Sequence, residues 1–260
     1  LHYPLRRQRQ MCIRDRISEA IPQIALSRDG GHKLAKAIMT TDTRPKEYAV
    51  EVTGEDYCFI IGGAAKGSGM IHPNMATMLA YITTDAAVEG DFLKKSLREV
   101  ADATFNMVIV DGDTSTNDTL MILSSGKAGN RVINAESDLA EDFKSALYQV
   151  CLGLAKSIAA DGEGATRLIE VVVTGALSES DARKAAITIA GSPLVKTAVH
   201  GNDPNWGRII AAVGRSGIEM DTEKTDVYIG PMCLLKSGQP MPFERTIASS
   251  LLDQPEVMLK

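Results

Sequence analysis

The strongest constraint on the fold is a long apolar stripe between Leu139 and Ala160. Its apolar side chains recur every three or four residues, which places them on one face of an α-helix. Asp138 and Glu141 suit the first turn of that helix, and Gly162 suits its end. A helix with one apolar face has to pack against another layer of secondary structure. The stripe consists of Leu139, Phe143, Leu147, Val150, Leu154 and Ile158.

Short strand-like runs occur in pairs between helices, and this order predicts an α+β fold of packed layers. Tyr48–Val52 and Tyr57–Ile61 are rich in β-branched and aromatic residues, and Gly54-Glu55-Asp56 between them predicts a hairpin. The other predicted strands are Met107–Val110 with Thr119–Leu123 as its neighbour, Leu168–Val173, Leu194–Val199, and a hairpin of Val227–Ile229 with Met232–Leu235. The other predicted helices are pieces within Ile17–Met39 that break near Asp29-Gly30-Gly31, then Asp91–Thr104, Asp181–Ala190 and Trp206–Val213.

Composition excludes several classes of protein. The 260 residues are 44% hydrophobic and 23% charged, which is typical of a globular protein. A net charge of −5 argues against a nucleic-acid surface. No apolar run approaches the roughly 18 residues that a membrane span needs. The cysteines (Cys12, Cys58, Cys151 and Cys233) are scattered, which favours reduced thiols in the cytoplasm over a disulfide framework or a zinc site.

The first 16 residues look unlike the rest of the chain. They carry five arginines, have neither helical nor strand periodicity, and do not begin with Met. They also lack the apolar core of a secretory signal. We expect residues 1–16 to be a non-native leader; the bland alternative is a basic disordered tail.

The glycine-rich stretch from Gly62 to Asp85 is the first candidate site. Flexible backbone that leads to a hydroxyl side chain, here Thr77, is a common way to position a nucleophile. A phosphate-binding P-loop is disfavoured because Lys66 precedes its glycine and no helical run follows. His72 is a conceivable base, but a loop or packing role is favoured because no carboxylate partner is evident and a proline follows.

Two acidic motifs have both a chemical and a structural interpretation. The run 111–118 lacks the glycine and the glutamate that an EF-hand calcium loop requires, so a turn held by side-chain-to-backbone hydrogen bonds is favoured. Glu163 lies between two glycines at a predicted helix end, where a site residue and a surface-loop residue are equally plausible. Trp206 is more consistent with packing than with binding.

Five motifs taken together resemble the bifunctional glutamate N-acetyltransferase/ornithine acetyltransferase family of arginine biosynthesis. They occur in the family's order between about residue 17 and about residue 250. The motifs are Thr40-Thr41-Asp42-Thr43, Lys66-Gly67-Ser68-Gly69-Met70-Ile71-His72-Pro73-Asn74-Met75-Ala76-Thr77-Met78-Leu79, Asp111-Gly-Asp-Thr-Ser-Thr-Asn-Asp118, Asp161-Gly-Glu-Gly-Ala-Thr166 and Asp203-Pro-Asn-Trp-Gly-Arg208.

The resemblance implies a layered αββα sandwich of the self-processing N-terminal-nucleophile type, with both ends of the family's chain missing here. The family's precursor cuts itself between Ala76 and Thr77, so residues 17–76 would be the end of an α chain and 77–260 a β chain without its C-terminal end. Two copies of each would form an α2β2 heterotetramer in the cytoplasm. Thr77 would be the catalytic nucleophile.

The resemblance also implies the reaction. Acetyl would pass from N-acetyl-L-ornithine through Thr77 to L-glutamate, without a metal or cofactor, and acetyl-CoA is a possible second donor. Thr40, Lys66, Thr77 and Glu163 would contact the substrate. The family's upstream Thr-Gly oxyanion pair and its C-terminal Asn and Thr contacts have no counterpart here. We therefore expect this fragment by itself to be inactive or a poor enzyme.

Self-cleavage has a physical rationale at this junction. A threonine hydroxyl is a weak nucleophile without a base, but attack on the carbonyl of Ala76 is intramolecular, with effective molarities of about 10⁵ M or more in good cases. Cleavage then exposes an α-amino group with an intrinsic pKa of about 7.7–8.0, which is suited to act as that base. A related self-processing hydrolase or aminopeptidase, and a binding domain that never cleaves, are the two alternatives.

Overall fold

The fold is described by a computed structural model that covers residues 13–72, 78–114 and 117–260. Its first sheet has the strand order β1-β2-β3-β4. The hairpin of β1 (Lys46–Thr53) and β2 (Cys58–Lys66) is antiparallel, as is the pair of β2 with β3 (Leu79–Thr84). The fourth strand, β4 (Thr119–Ser124), is parallel to β3.

The predicted long helix forms the centre of the first core. It is α4 (Ala140–Ala160), and it packs on the inner faces of β1 and β2 beside α3 (Gly90–Ala103). The approach of helix to sheet is close at Gly63, where a Cβ would lie 2.5 Å from Cδ1 of Ile82 and 3.1 Å from Cδ1 of Leu154. A glycine at this position therefore lets the two layers pack together.

The second sheet has its own core and its own helices. Its strand order is β5-β9-β6-β7-β8, and the strands are β5 (Leu168–Val171), β6 (Val227–Ile229), β7 (Met232–Lys236), β8 (Gln239–Pro240) and β9 (Glu256–Leu259). Around it lie α5 (Glu179–Ala190), α6 (Pro193–His200), α7 (Trp206–Arg215) and α8 (Arg245–Leu252). Trp206 is half-buried against this second core, so the packing role predicted for it is confirmed.

The N-terminal part of the described chain is helical in pieces. Residues 13–20 form a helix, α1, which continues into a 3₁₀ turn, Ile21–Gln23, and is exposed to solvent throughout. The next helix, α2 (Gly30–Ala37), lies against β1 and β2 and buries Ala35 completely. The predicted break near Asp29 is confirmed. The described part of the chain contains no helix with the length and apolarity needed to cross a membrane.

The α+β class is confirmed, and the hairpins and long helices lie where they were predicted. Two predicted strands are wrong. Residues 105–107 form a 3₁₀ turn and 108–110 are irregular, so β4 pairs with β3 instead. Residues 194–199 belong to helix α6, because Ser192 caps it by accepting a hydrogen bond from the amide of Val195 and Pro193 suits its first turn.

The idea that the whole glycine-rich stretch is flexible also needs correction. Gly62 and Gly63 lie inside β2, paired on both sides with Ala49, Tyr48, Thr83 and Ile82. The irregular backbone begins only after Lys66, where Gly67 has φ +153° and Met70 has φ +59°. Gly62 and Gly63 therefore serve packing, and the bend that leads toward Thr77 starts at Gly67.

Candidate functional site

A pocket of about 280 Å³ lies where β2 ends, and it brings together three of the predicted site residues. Lys66, the last residue of β2, is buried at its base. Thr40 enters from the loop after α2, and its Oγ1 lies 3.4 Å from Nζ of Lys66. Glu163 comes from the loop after α4. The pocket is lined by Thr40, Thr41, Lys66, Ser68, Gly69, Met70 and Glu163.

Backbone contacts fix the position of Glu163 relative to the loop after β2. Its amide donates to the carbonyl of Ser68 at 2.7 Å. A Cβ on Gly69 would lie 2.7 Å from both Cδ and Oε1 of Glu163, so the carboxylate rests directly against this glycine. Glu163 itself is exposed on the open side of the pocket. Glu163 therefore lies at the pocket with Thr40 and Lys66, and its role toward a substrate stays a prediction.

The predicted nucleophile Thr77 and the cleavage partner Ala76 lie outside the described residues. The described residues nearest to them in sequence are His72 on one side and Met78 on the other. On the far side, Met78 is buried and precedes Leu79, which pairs with Lys66 across the sheet. Thr77 is thus two residues in sequence from the strand partner of Lys66. On the near side, His72 is half-buried.

Two aspartates of the 111–118 motif hold these flanks. Asp111 accepts hydrogen bonds from the amides of Met70 (2.5 Å) and Ile71 (3.0 Å) as well as from Asp113 (3.2 Å). Asp118 accepts one from the amide of Met78 at 2.9 Å. These residues make the predicted side-chain-to-backbone hydrogen bonds. One of the four bonds, from Asp113, lies within the turn, and the other three come from Met70, Ile71 and Met78, on either side of residues 73–77.

The two carboxyls differ in their electrostatics. Burial raises the pKa of Asp118, although its bond from Met78 and the positive charge of Lys66 act in the opposite direction. For Asp111 burial also acts upward, but the amides of Met70, Asp113 and Ile71 outweigh it and lower the pKa. A carboxyl with a raised pKa therefore binds the amide of Met78, the residue that follows Thr77 in sequence.

A buried ion-pair cluster that the sequence analysis missed lies beneath the pocket. Nζ of Lys46 contacts Asp42 Oδ1 at 2.6 Å and Asp161 Oδ2 at 2.5 Å, and the three side chains are 0–4% exposed. The pKa of each carboxyl is lowered although burial opposes it, since the bonds from Lys46 and from Gly67, Thr40 or Thr43 outweigh burial. One signal of this cluster in the sequence is a lysine on the apolar face of a strand, since Lys46 shares that face with Val50 and Val52.

A larger cavity, of about 560 Å³, lies between the two cores, and Glu163 is the predicted site residue that reaches it. Both lysines that line it already have protein partners: Lys156 pairs with Glu170 at 3.0 Å and Lys196 donates to the carbonyl of Val110 at 2.6 Å. The smaller pocket is the better candidate because Thr40, Lys66 and Glu163 meet there. An ammonium and a carboxylate across one pocket suit a ligand that carries both charges, as an amino acid does.

Comparison with known proteins places the chain. The profile described as the ArgJ family matches residues 9–260, which includes part of the segment set aside as a leader. The arginine biosynthesis bifunctional protein ArgJ of Dehalococcoides mccartyi (strain CBDB1) is 55% identical over 95% of this chain and 61% of its own length. That of Symbiobacterium thermophilum is 50% identical over 94% of this chain, again 61% of its own length. The chain thus spans about three-fifths of the curated relatives that it matches.

A solved structure supports the same placement. The crystal structure of arginine biosynthesis bifunctional protein argJ from Bacillus halodurans superposes with a TM-score of 0.67 at 44% identity. The superposition covers 69% of this chain and 85% of that one. A family profile that matches nearly the whole chain, together with relatives at about half identity, leads to one conclusion: the chain belongs to the ArgJ family.

Proposed function

We propose that the full-length protein is an acetyltransferase of arginine biosynthesis that moves acetyl from N-acetyl-L-ornithine to L-glutamate. The observation that carries the proposal is the pocket that both Lys66 and Glu163 line, beside the strand that directly follows Met78 and Thr77 in sequence. The relatives' names, which place them in arginine biosynthesis and call them bifunctional, support it.

The two charged residues divide the recognition of the substrate. Lys66 is a buried point charge that meets the substrate's carboxylate. Glu163, on the open side, pairs with its ammonium group or assists proton transfer. Thr40 accepts from Lys66 and so keeps its ammonium directed into the pocket. Both substrates carry an α-carboxylate, so Lys66 serves N-acetylornithine in the first half-reaction and glutamate in the second. The ammonium that Glu163 meets in N-acetylornithine is the side-chain one, because the α-nitrogen carries the acetyl group.

Thr77 carries the acetyl group between the two half-reactions. After self-cleavage, its new α-amino group takes the proton from Oγ, which attacks the acetyl carbonyl of N-acetylornithine. The tetrahedral intermediate collapses to an acetyl-threonine ester as the Thr77 ammonium returns the proton to the departing nitrogen, which releases ornithine. The glutamate ammonium then loses a proton to the Thr77 amine and attacks the ester, and that proton passes to Oγ as N-acetylglutamate and free Thr77 form. Every atom of the transferred group comes from the donor, so the scheme requires no metal or cofactor.

The proposal extends to assembly and to the second donor. The α and β chains stay together after the cut, which is supported by the pairing of β2 with β3 along six residues on either side of it. The proposed assembly is an α2β2 heterotetramer. Acetyl-CoA is a further donor, in keeping with the word bifunctional in the relatives' names. The described cysteines are free thiols, which supports a cytoplasmic location.

Replacing Thr77 with alanine in the full-length protein should abolish both processing and transfer. Without Oγ there is no attack on the carbonyl of Ala76 and no acetyl-enzyme, so kcat falls by about 10³-fold or more. Intact mass should show one uncut chain, and incubation with N-acetylornithine should add no 42 Da acetyl increment, the mass expected for one such group.

Thr77→Ser is the matched control, because it keeps the hydroxyl and should still be cut and acetylated. Cut chains or an acetyl adduct in Thr77→Ala would assign the nucleophile elsewhere. If the native protein released acetate to water and formed no N-acetylglutamate, it would be a hydrolase, contrary to the proposal.

Gly69→Ala should weaken substrate binding with little effect on folding. The new methyl group would displace the Glu163 carboxylate, which lies 2.7 Å from the Cβ position. Losing a charged hydrogen bond to the substrate ammonium should raise KM by about 10-fold or more. The melting temperature should hardly change, because the obstructing atoms end a movable side chain.

Gly31→Ala is the control for this substitution, since a Cβ there meets nothing within 4 Å. Its steady-state kinetics should match those of the native protein. An unchanged KM in Gly69→Ala would remove Glu163 from the binding site.

A further inference from the structure

The buried cluster of Asp42, Lys46 and Asp161 joins three separate parts of the chain. Lys46 begins β1, Asp42 belongs to the loop before it, and Asp161 ends α4. Lys46 and Asp161 are 115 residues apart in sequence. Three fully or nearly fully buried charges in mutual contact restrict the positions of these elements strongly, because none of them can turn to solvent without breaking the contact.

The carboxyl of Asp42 also holds backbone amides at the pocket. Asp42 accepts from the amide of Gly67 at 2.7 Å, and Gly67 directly follows Lys66. The second oxygen of Asp42 accepts from the amide of Thr40 at 3.0 Å. Asp42 therefore holds the backbone at Thr40 and next to Lys66, two of the three predicted site residues that line the pocket.

Asp161 reaches the third pocket residue through Ser68. The Ser68 hydroxyl donates to the carbonyl of Asp161 at 2.6 Å, and the Ser68 carbonyl accepts from the amide of Glu163 at 2.7 Å. Thr43 fastens the carboxyl from the other side, with its amide at 3.0 Å from Oδ2 and its hydroxyl on Oδ1. Glu163 is thus linked through Ser68 to the main-chain carbonyl of Asp161, the residue whose side chain completes the cluster.

We propose that the Asp42–Lys46–Asp161 cluster is the positioning unit of the substrate pocket. It touches no substrate; it sets the distance between the Lys66 ammonium and the Glu163 carboxylate, and hence the length of the amino acid that fits between them. A site of this kind depends on placement within about 0.5 Å, which its supporting residues have to provide. A misplacement of about 1 Å can reduce the rate by about 100-fold.

The proposal rests on the proposed function for its kinetic test, and a structural measurement keeps the two separable. The principal variant is Asp42→Asn/Lys46→Met in the full-length protein. It removes one charge of each sign, so the cluster keeps its net charge of −1, and the carboxyl of Asp161 keeps both bonds from Thr43. Asp42→Asn also replaces one carboxylate oxygen with an amide nitrogen. That nitrogen donates hydrogen bonds and does not accept one from the amide of Gly67 or Thr40.

The control is Leu234→Ala, which creates a cavity at a fully buried position of the second core, away from the pocket. It gives a protein of lowered melting temperature for comparison. All variants are assayed well below their melting temperatures, so that the folded fraction is the same.

The double variant should show a kcat/KM for N-acetylornithine lowered by about 10-fold to 100-fold, with KM raised. Leu234→Ala should keep the kinetics of the native enzyme. Wild-type kinetics in a folded double variant would overturn the proposal. If the double variant does not fold, Asp42→Asn alone provides the same comparison.

A crystal structure of the variant tests the proposal even if the native protein does not transfer acetyl. In that case the proposed function fails, but the positioning role still predicts that Thr40, Lys66 or Glu163 moves by about 1 Å or more. Pocket residues that stay within about 0.5 Å of their native positions would overturn it.

Discussion

Phe143→Ala should lower the free energy of unfolding by about 3–5 kcal/mol, the range for deleting a buried aromatic ring. Phe143 is completely buried on α4, where its ring centroid lies 6.1 Å from that of Phe59 and 6.2 Å from that of Phe92. One side chain thus connects α4 with β2 and α3. The lost free energy has three parts: the transfer free energy of the buried ring, the cost of the cavity left behind and two aromatic contacts.

Urea unfolding followed by circular dichroism would measure this loss. Tyr148→Ala is the matched control, because it removes an aromatic ring from the same helix at a position that is 39% exposed. It should cost much less. A loss below about 1 kcal/mol for Phe143→Ala would mean that the first core is not organised around α4.

The same helix shows why much of the fold could be predicted. The stripe on α4 is a local, repeated pattern, and every member from Phe143 to Ile158 is buried. The strand pair β1–β2 was predictable for a similar reason, since its turn residues and β-branched runs are adjacent in sequence. Local patterns of this kind can be recognised in the sequence without knowledge of the tertiary structure.

The errors occurred where a short apolar run has no periodicity of its own. Leu194–Val199 was predicted as a strand from its composition, although the N-cap Ser192 and Pro193 immediately before it predict a helix start. In the apolar run Met107–Val110, Val108 and Val110 pack in the first core although residues 108–110 lie outside any strand. A short run is apolar either because it is buried in a core or because it forms a strand, and its composition alone does not distinguish the two cases.

The site shows the same division between local and long-range information. Thr40, Lys66 and Glu163 were identified by motif, and the structure brings them to one pocket; their substrate roles stay predictions. The cluster beneath them depends on the contact of Lys46 with Asp161, which no window of sequence contains. The hydrogen-bond partner of Asp118 could not be predicted for the same reason, since Met78 is 40 residues away.

Acid should destabilise the native fold through this cluster, by about 3–5 kcal/mol once the buried contacts to Lys46 are broken. The pKa values of Asp42 and Asp161 are lowered in the folded protein, because Lys46 and nearby backbone amides favour the ionised carboxyls despite their burial. Their contribution is therefore complete above the unfolded-state pKa of about 3.9 and is lost as the pH falls through the lower folded-state values. Protonation would leave the Lys46 ammonium buried without an anionic partner.

Unfolding free energies measured in urea between pH 6 and the acid limit of folding would show this as a steep decline that begins near pH 4. Asp118 acts with the opposite sign, because its pKa is raised by burial, and so it opposes the decline. Asp42→Asn/Lys46→Met removes one titrating carboxyl and its cation, so its decline should be shallower than that of the native protein. Equal slopes in the two proteins would mean that the buried cluster is not what acid breaks. In the native protein the stability and the pocket should then fail together, because protonation of Asp42 weakens the bonds that its carboxylate accepts from the amides of Thr40 and of Gly67, next to Lys66.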